Sequence, residues 1–523
     1  MIFMDKKTLS QYGWVVICIL VLAVLIGMAT PFGDLVKASV KSTVSEMSKQ
    51  SKNKLLDAFP ESVENLQKRY DFEYYSSLSL AVNDLNNSTR ENADANKNNA
   101  VAGIYTDDNN IDSVVLLKDT TESSVITISK DSTVNLGGNT LNFDTNASCL
   151  NIASGVSATL DGSISGSSIK KNINGTVSYL VTSSGDLTVN GGNYSISGSY
   201  INGSSSATCM AFSQKKTSSN ISFRDCTISA KNEASGSNCY AYGVQSGGTN
   251  MTMDSCTVTA ELNSGETVYG IFNKANAKIN NSEISAYSGD AIVYGIIAAN
   301  TLEANNSKFY ADSANNSVDG GNIGKAIQAA PSSASTELKN ITLNNVTAIG
   351  THSGVGVRTG FNLYITGGKY ASCSHGGIYF SNGPYDGMQA GENYVYNATL
   401  EYIPVEKFES RYDTSTFYIG NRSSFYIGGG TGTWQSDISV HIDSCKLISD
   451  SHAGTLRGTD GETNNKLYIS NSKISSGTKI RLDTGGHTLY IGKGNNFTES
   501  DVYKQNLGGA TSSVVTTDAV YKK

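Results

Sequence analysis

Apolar and polar residues alternate in short runs along most of the chain, and the runs recur with one signature. Ile221-Ser-Phe-Arg-Asp-Cys-Thr-Ile-Ser-Ala230, Met251-Thr-Met-Asp-Ser-Cys-Thr-Val-Thr-Ala260, Ala277-Lys-Ile-Asn-Asn-Ser-Glu-Ile-Ser-Ala286 and Leu302-Glu-Ala-Asn-Asn-Ser-Lys-Phe-Tyr-Ala311 are copies of one pattern. Weaker copies begin at Leu187, Ile341, Leu363, Val440 and Leu467. Successive starts from Leu187 to Leu302 lie 34, 30, 26 and 25 residues apart, and Ile341 lies 22 before Leu363. Periods of this size mark a solenoid in which each repeat is one coil. Within a copy, the strand alternation of Ile221 and Phe223 jumps by three to Cys226 and resumes through Ile228 and Ala230. The jump predicts a corner between two short strands at 224–225, 254–255, 280–281 and 305–306, where Asn and Asp tolerate the left-handed backbone of a sharp bend. A further apolar segment precedes each later copy, at 240–244, 268–272 and 292–297, with Gly243, Gly270 and Gly295 about one coil apart. The pattern predicts three short strands per coil, stacked so that like residues form ladders.

This arrangement resembles the right-handed parallel β-helix of pectate-lyase-like and surface adhesin proteins, over roughly 114–497. The segment from Val114-Val-Leu-Leu-Lys-Asp119 to Val134-Asn-Leu-Gly-Gly-Asn-Thr-Leu141 resembles the first coils of such bacterial surface proteins. The resemblance implies an all-β fold, a single-stranded right-handed parallel β-helix solenoid at 113–498, and carries no activity of its own. Leu78, Ala81, Val82 and Leu85 mark one face of a short helix in a cap region, 59–112, that covers the open end of the core. A bare end would expose strand edges. A long departure from the repeat at 382–436 reads as an insertion, and 499–523 as a C-terminal tail.

Residues 14–29 form an apolar run without charge, preceded by Lys6 and Lys7. Its length is long for a signal-peptide core and slightly short for a bilayer span, and both readings export the rest of the chain. Phe32, Val36, Val40, Val44 and Met47 continue at three- to four-residue spacing, so an amphipathic helix extends the apolar one. This favours a retained anchor over a signal cleaved after Ala29. The chain then begins with a cytoplasmic N-terminus at 1–12, a transmembrane signal anchor (or signal peptide) at 13–29 and an amphipathic helical stalk at 30–58. The same segment resembles the filament-forming helix of small bacterial pilins over about 12–47, without a prepilin cleavage signature. The expected location is the cell surface, anchored or secreted, with the membrane as one partner and self-assembly open.

Composition agrees with the pattern. Charged residues make up only 16% of the 523, against roughly 25% in ordinary domains, and Ser, Thr, Asn and Gly fill the deficit. Helical surfaces are usually rich in Lys and Glu, so most of the chain is expected to be non-helical. A net charge of -7 gives no general affinity for nucleic acid. Eight cysteines include Cys18 in the apolar run, which leaves seven outside it and excludes an all-paired framework. Cys209 and Cys239 are 30 residues apart, as are Cys226 and Cys256, so each pair is expected in equivalent core positions of neighbouring coils. A buried thiol ladder is the favoured reading, a disulfide in an oxidising exterior the alternative.

Three of the five histidines share a context, Thr351-His352-Ser-Gly354, Ser374-His375-Gly-Gly377 and Ser451-His452-Ala-Gly454, with Arg358 and Arg457 just downstream of the first and third. If 382–436 loops out, all three histidines stack on one side. That stretch carries Tyr385, Tyr394, Tyr396, Tyr402, Tyr412, Tyr418, Tyr426 and Trp434, with acids that include Asp386, Glu392 and Glu401. Aromatic faces beside carboxylates and basic groups suit a sugar-binding groove. The candidate ligand-binding residues are therefore His352, His375, His452, Arg358, Arg457, Tyr385, Asp386, Tyr418, Tyr426 and Trp434. The alternative is that the stretch packs on itself or on the solenoid flank. The expected function is a membrane-tethered cell-surface binding or adhesion module for a glycan or another host or cell-surface ligand. A polysaccharide lyase or glycoside hydrolase on the same scaffold is the alternative, and a pilin-like filament subunit a further one. No cofactor is expected, apart from Ca2+ in the lyase case, which would need clustered carboxylates.

Overall fold

The computed structural model describes residues 62–521, apart from 146–147, 173–176, 199–205, 235, 315–323, 334–336, 382–387, 418–419, 429–436, 459–463 and 506–510. The expected anchor at 13–29 and stalk at 30–58 lie outside the described residues. Among the described residues no helix is long and apolar enough to cross a membrane.

Residues from Leu66 onward form one unit built on three long sheets of 17, 13 and 14 strands. The chain visits them in rotation, first, second, third, and each strand pairs in parallel with its equivalent one coil later, as Asn220–Arg224 does with Asn250–Asp254. The result is a β-helix-like solenoid. All the pattern starts occupy one register column, Leu187, Ile221, Met251, Ala277, Leu302, Ile341 and Leu363, continuing to Val440 and Leu467. These side chains are buried in a core that runs the length of the solenoid. At its centre Tyr194, Phe212 and Phe223 meet edge to face, one ring from each sheet, with centroids 5.2 and 5.0 Å apart.

The corners between the first and second sheets are left-handed at Asp225, Ser255, Asn281 and Asn306, with φ between 49° and 56°, and again at Asn345, Asn397, Ser444 and Asn471. The bend lets the corner N–H reach the next coil, as Asn281 N donates to Asn305 O at 3.0 Å. Amide ladders run beside it, Asn305 donating to Asn280 and Asn344 to Asn305 at 2.9 and 2.8 Å. In the third sheet, the glycines Gly243, Gly270 and Gly295 let successive coils approach. A Cβ on Gly243 would lie 2.6 Å from Gly270 O, and one on Gly270 2.5 Å from Gly295 O.

At the N-terminal end, strands Glu73–Tyr75 and Ala102–Thr106 add antiparallel to the first sheet. The helix Leu78–Asn87 packs Leu78, Ala81, Val82 and Leu85 into the core. Ser77 caps this helix by accepting from Leu80 N. The buried Asp84 accepts from Asn92 N at 2.8 Å and Thr89 Oγ1 at 2.9 Å, which fixes the chain leaving the helix.

The stretch 382–436, expected as one insertion, contains a full coil: strands Glu392–Tyr396, Thr399–Tyr402 and Phe425–Gly428 each join their sheet in register. Asn393 takes the core column between Leu363 and Val440, donating to Gly391 O and Ser439 O at 3.0 Å. Among the described residues, a strap at 403–417 and 420–424 between the second and third strands departs from the coil. Its Val405, Phe408 and Phe417 form a small second core with Cys373, against Tyr310 and Ile349. Asp312, fully buried, holds the strap by accepting from Ser410 Oγ and Arg411 N at 2.8 Å.

All seven cysteines after Cys18 are buried free thiols. Cys226 and Cys256 stand in neighbouring coils with Sγ atoms 3.4 Å apart. Cys209 and Cys239 do not pair: Cys209 lies opposite Ala241 and Cys239 opposite Ala207, two residues out of register. The connector 215–219 is two residues longer than its successor 247–249, so equal sequence spacing does not mean equal register here. On treatment of the native chain with diamide, a peptide map is expected to show Cys226 linked to Cys256 and no link between Cys209 and Cys239. A Cys209–Cys239 crosslink would contradict this register.

Candidate functional site

The outer face of the third sheet carries two rows of side chains. One runs through Tyr242, Tyr269, Tyr294, Lys325 and Ser353. The second runs through Phe272, Ile297, Gln328, Gly356, Tyr379, Tyr426 and Thr455. Coil spacing brings the rings face to face, with centroids 4.8 Å apart for Tyr242–Tyr269, 5.6 Å for Tyr269–Tyr294 and 5.3 Å for Tyr379–Tyr426. Stacked rings cover each other's faces, so ligand-accessible faces remain only where the ladder is broken.

The break is at Gly356. No side chain stands between Gln328 and Tyr379, and Lys325 folds across the gap. Its Cδ lies 3.3 Å from the position a Gly356 Cβ would occupy, with Gln328 Oε1 at 2.6 Å. The Lys325 ammonium then sits 5.6 Å over the Tyr379 ring. His352 and His375 stack on each other at 4.2 Å, and both meet Tyr379 edge-on, at 5.1 and 5.6 Å.

Burial sets the electrostatics. Lys325 is only 3% exposed, and loss of solvation, with repulsion from Arg358, pushes its ammonium down to about 7. Burial pushes His352 well below the ordinary imidazole range, aided by His375 and Lys325. Burial and Lys325 lower His375 to about 4. Both rings are therefore neutral at pH 7. Around them, Gln328 Oε1, Thr351 Oγ1, His352 Nδ1 and Ser353 Oγ are buried and have no hydrogen-bond partner among the described residues. Buried polar atoms are nearly always paired, so these four orphans beside Lys325 and Arg358 form a buried polar cluster that ordered water or a ligand oxyanion would satisfy.

Of the residues singled out from sequence, this face gathers His352, His375, Arg358, Arg457 and Tyr426. Arg358 ends the strand Ser353–Arg358 opposite Ser381, and its charge acts on Lys325, Tyr294 and Tyr379. Arg457 pairs with Asp483 at 3.8 Å and hydrogen-bonds Tyr426. His452 does not extend the stack: it lies two coils past His375, and the coil between places Ser423 opposite it. The shared Ser-His context has a local meaning, since Ser374 Oγ and Ser451 Oγ lie 2.8 and 2.9 Å from the Nδ1 of His375 and His452. Tyr385, Asp386, Tyr418 and Trp434 lie outside the described residues. The sequence reading missed Lys325, Gln328 and Tyr379. Aligning Gly324-Lys-Ala-Ile-Gln-Ala329 on Val293-Tyr-Gly-Ile-Ile-Ala298 would have shown a lysine continuing a tyrosine ladder. Among the described residues no group of three or more His, Cys, Asp or Glu could hold a metal ion, so no Ca2+ set accompanies these basic residues there.

A second aromatic surface lies on the outer face of the first sheet. Tyr364, Tyr394, His441, Tyr468 and Tyr490 stack in one column with interplanar angles of 4–18°. Tyr521 turns back over it at 61° to His441. Here the rings line an open groove of about 350 Å³. Tyr394 and Tyr396 come from the aromatic stretch expected to bind sugar.

No protein-family model, no curated protein and no solved structure matches this chain.

Proposed function

We propose that this protein is an exported, membrane-tethered right-handed parallel β-helix of the pectate-lyase-like kind that binds an acidic polysaccharide at the cell surface. The observation that carries the reading is the break in the ladder at Gly356, where Lys325, Arg358 and four buried polar atoms without a described partner adjoin stacked tyrosines. Cations with hydroxyl donors beside them suit the carboxylate or sulfate of a sugar acid, and charge-assisted hydrogen bonds are the strong ones. Tyrosines flank the break over three coils on one side, Tyr242, Tyr269 and Tyr294, and over two on the other, Tyr379 and Tyr426, so a polymer has length to follow. The apolar run 14–29 after Lys6 and Lys7 supports export and tethering.

Affinity electrophoresis of the full chain through gels containing polygalacturonate, heparin or dextran tests this. Retardation is expected in an acidic gel and not in dextran. Lys325→Met keeps the length of the side chain without its charge, and Arg358→Gln keeps a planar polar end. Each is expected to weaken retardation by about tenfold while the melting temperature stays at or above the parent's. Equal retardation in dextran, or variants that bind as the parent does, would sink the proposal.

One observation favours a lyase reading as well. An amine at about 7 is suited to accept a proton at neutral pH, here the one next to a uronate carboxylate. Ultraviolet absorbance of unsaturated product, lost in Lys325→Met, would convert the binding site into a catalytic one.

A further inference from the structure

We propose that Cys226 and Cys256 are the chain's site of reversible oxidation, where a peroxide converts the pair to a disulfide that clamps two neighbouring coils. Beyond the proximity that a diamide link reports, the pair differs from the other five buried cysteines in depth, reactivity and consequence. Each cysteine follows a left-handed corner residue, Asp225 or Ser255, and precedes one of the paired residues Thr227 and Thr257. Thr257 N donates to Cys226 O at 2.9 Å, and the Sγ atoms lie 3.4 Å apart. A strand spacing of about 4.8 Å falls inside the Cα range a disulfide accepts, so the sulfurs need to close only to about 2.05 Å and both ladders stay in place. The burial is shallow: Asp225, Thr227, Ser255 and Thr257, on either side of the two thiols, are exposed. Opening one corner therefore admits a small oxidant without global unfolding.

Reactivity singles out Cys256. The Cys226 S–H donating to it holds the Cys256 thiol below its ordinary value. The same donation, with burial, pushes Cys226 up. Burial pushes up each of the other five, Cys149 to about 11 and Cys445 to about 12. The thiols of Cys209, Cys373 and Cys445 face backbone carbonyls, Ile196 O, Thr351 O and Val395 O, at 3.8, 3.3 and 3.5 Å. The thiolate is the nucleophile, so Cys256 attacks one peroxide oxygen. The O–O bond breaks, hydroxide leaves, and Cys256 becomes a sulfenic acid. Cys226 then attacks the Cys256 sulfur and displaces a second hydroxide. The two thiol protons go to the two hydroxides, so two thiols and one hydrogen peroxide give one disulfide and two waters. The new bond spans 30 residues of chain and restricts the open states of both coils.

The test is exposure of the folded full chain to hydrogen peroxide, sampled over time by peptide mapping without reduction. The Cys226–Cys256 link is expected to form at least about tenfold faster than any of the other five buried cysteines is oxidised, and dithiothreitol is expected to reverse it. In the oxidised chain, amide exchange in the strands Asn220–Arg224, Thr227–Asn232, Asn250–Asp254 and Thr257–Leu262 is expected to slow at least about tenfold. Serine suits the corner, since Ser282 and Ser307 hold it in the next two coils, where Cys256 N donates to Ser282 Oγ at 3.1 Å and Ser282 N to Ser307 Oγ at 3.2 Å. In Cys226→Ser, dimedone is expected to trap a sulfenic acid on Cys256, while in Cys256→Ser the Cys226 thiol is expected to stay unmodified over the same period. Equal oxidation of the seven buried cysteines, absence of the link, trapping on Cys226 alone, or a link that leaves exchange unchanged would overturn the proposal. The parent chain carries the rate and exchange readouts by itself, so a variant that folds poorly does not remove the test.

Discussion

Acidification from pH 6.5 to pH 4 is expected to cost the folded chain about 3 kcal/mol through His375 alone, from a shift to about 4 at some 1.4 kcal/mol per pH unit. Proton counting gives the sign. In the folded chain, burial and the Lys325 charge hold His375 below 6.5, so between 6.5 and about 4 the unfolded chain binds more protons. Stability therefore falls as pH falls through that window, and this contribution is complete below it. His352 is pushed lower still and acts in the same sense at more acid pH. His441, His452 and His487 are also lowered and add to the slope. Asp312, raised by burial, opposes it at the acid end. Urea unfolding at pH 7 and pH 4.5 checks the expectation. His375→Gln, which keeps a polar side chain near Ser374 and does not titrate, is expected to flatten the pH dependence by about half, and an unchanged slope in that variant would contradict it.

Replacing Phe223 by alanine is expected to destabilise the solenoid by about 3–5 kcal/mol. Phe223 is fully buried and meets Phe212 edge to face, which in turn meets Tyr194, so one deletion opens a void where all three sheets converge. Backbone ladders on each side hold the neighbouring coils, which limits collapse of the void. Because each coil contacts mainly its neighbours, the loss is expected to be local. Hydrogen exchange is expected to quicken in the strands Asp186–Gly191 to Asn238–Ser246, while the cap helix and the last coils keep their protection. Phe223→Leu keeps most of the volume and is expected to cost about 1 kcal/mol. A loss below about 1 kcal/mol in the alanine variant, or exchange that quickens evenly along the chain, would show that the three rings do not act as a unit.

The repeat was legible because two strict physical demands recur once per coil. A left-handed corner restricts the residue to Asn, Asp, Ser or Gly, and a core column restricts it to apolar side chains, as Leu187 through Leu467 show. Where one demand was met in an unusual way, the reading failed. Asn393 fills a core column with an amide whose Nδ2 donates to two carbonyls, so the coil around it looked like an insertion. Cys209 and Cys239 were placed opposite each other because sequence distance stood in for register, and a connector two residues longer broke that equivalence. The site was legible as a set of residue types. His352, His375, Arg358, Arg457 and Tyr426 do share a face, but what organises them is Lys325 lying in the gap of Gly356. A lysine whose neighbours along the sequence are Gly324 and Ala326 gives no local sign of burial, since its surroundings come from other coils.

The glycine column and the in-register strands bear on how such a chain changes over generations. Thr257 and Glu283 hold the same place in successive coils, as do Gly270 and Gly295. Excising residues 257–282 would join Cys256 to Glu283 and leave every ladder continuous, since the removed segment spans one whole period of all three sheets. Unequal recombination between such equivalent positions adds or deletes a coil without creating a new interface. The reach of the protein is thus adjustable in steps of about 4.8 Å, the spacing between paired strands. The Lys325 cluster and the tyrosine groove begin at later coils and would be carried through such events intact.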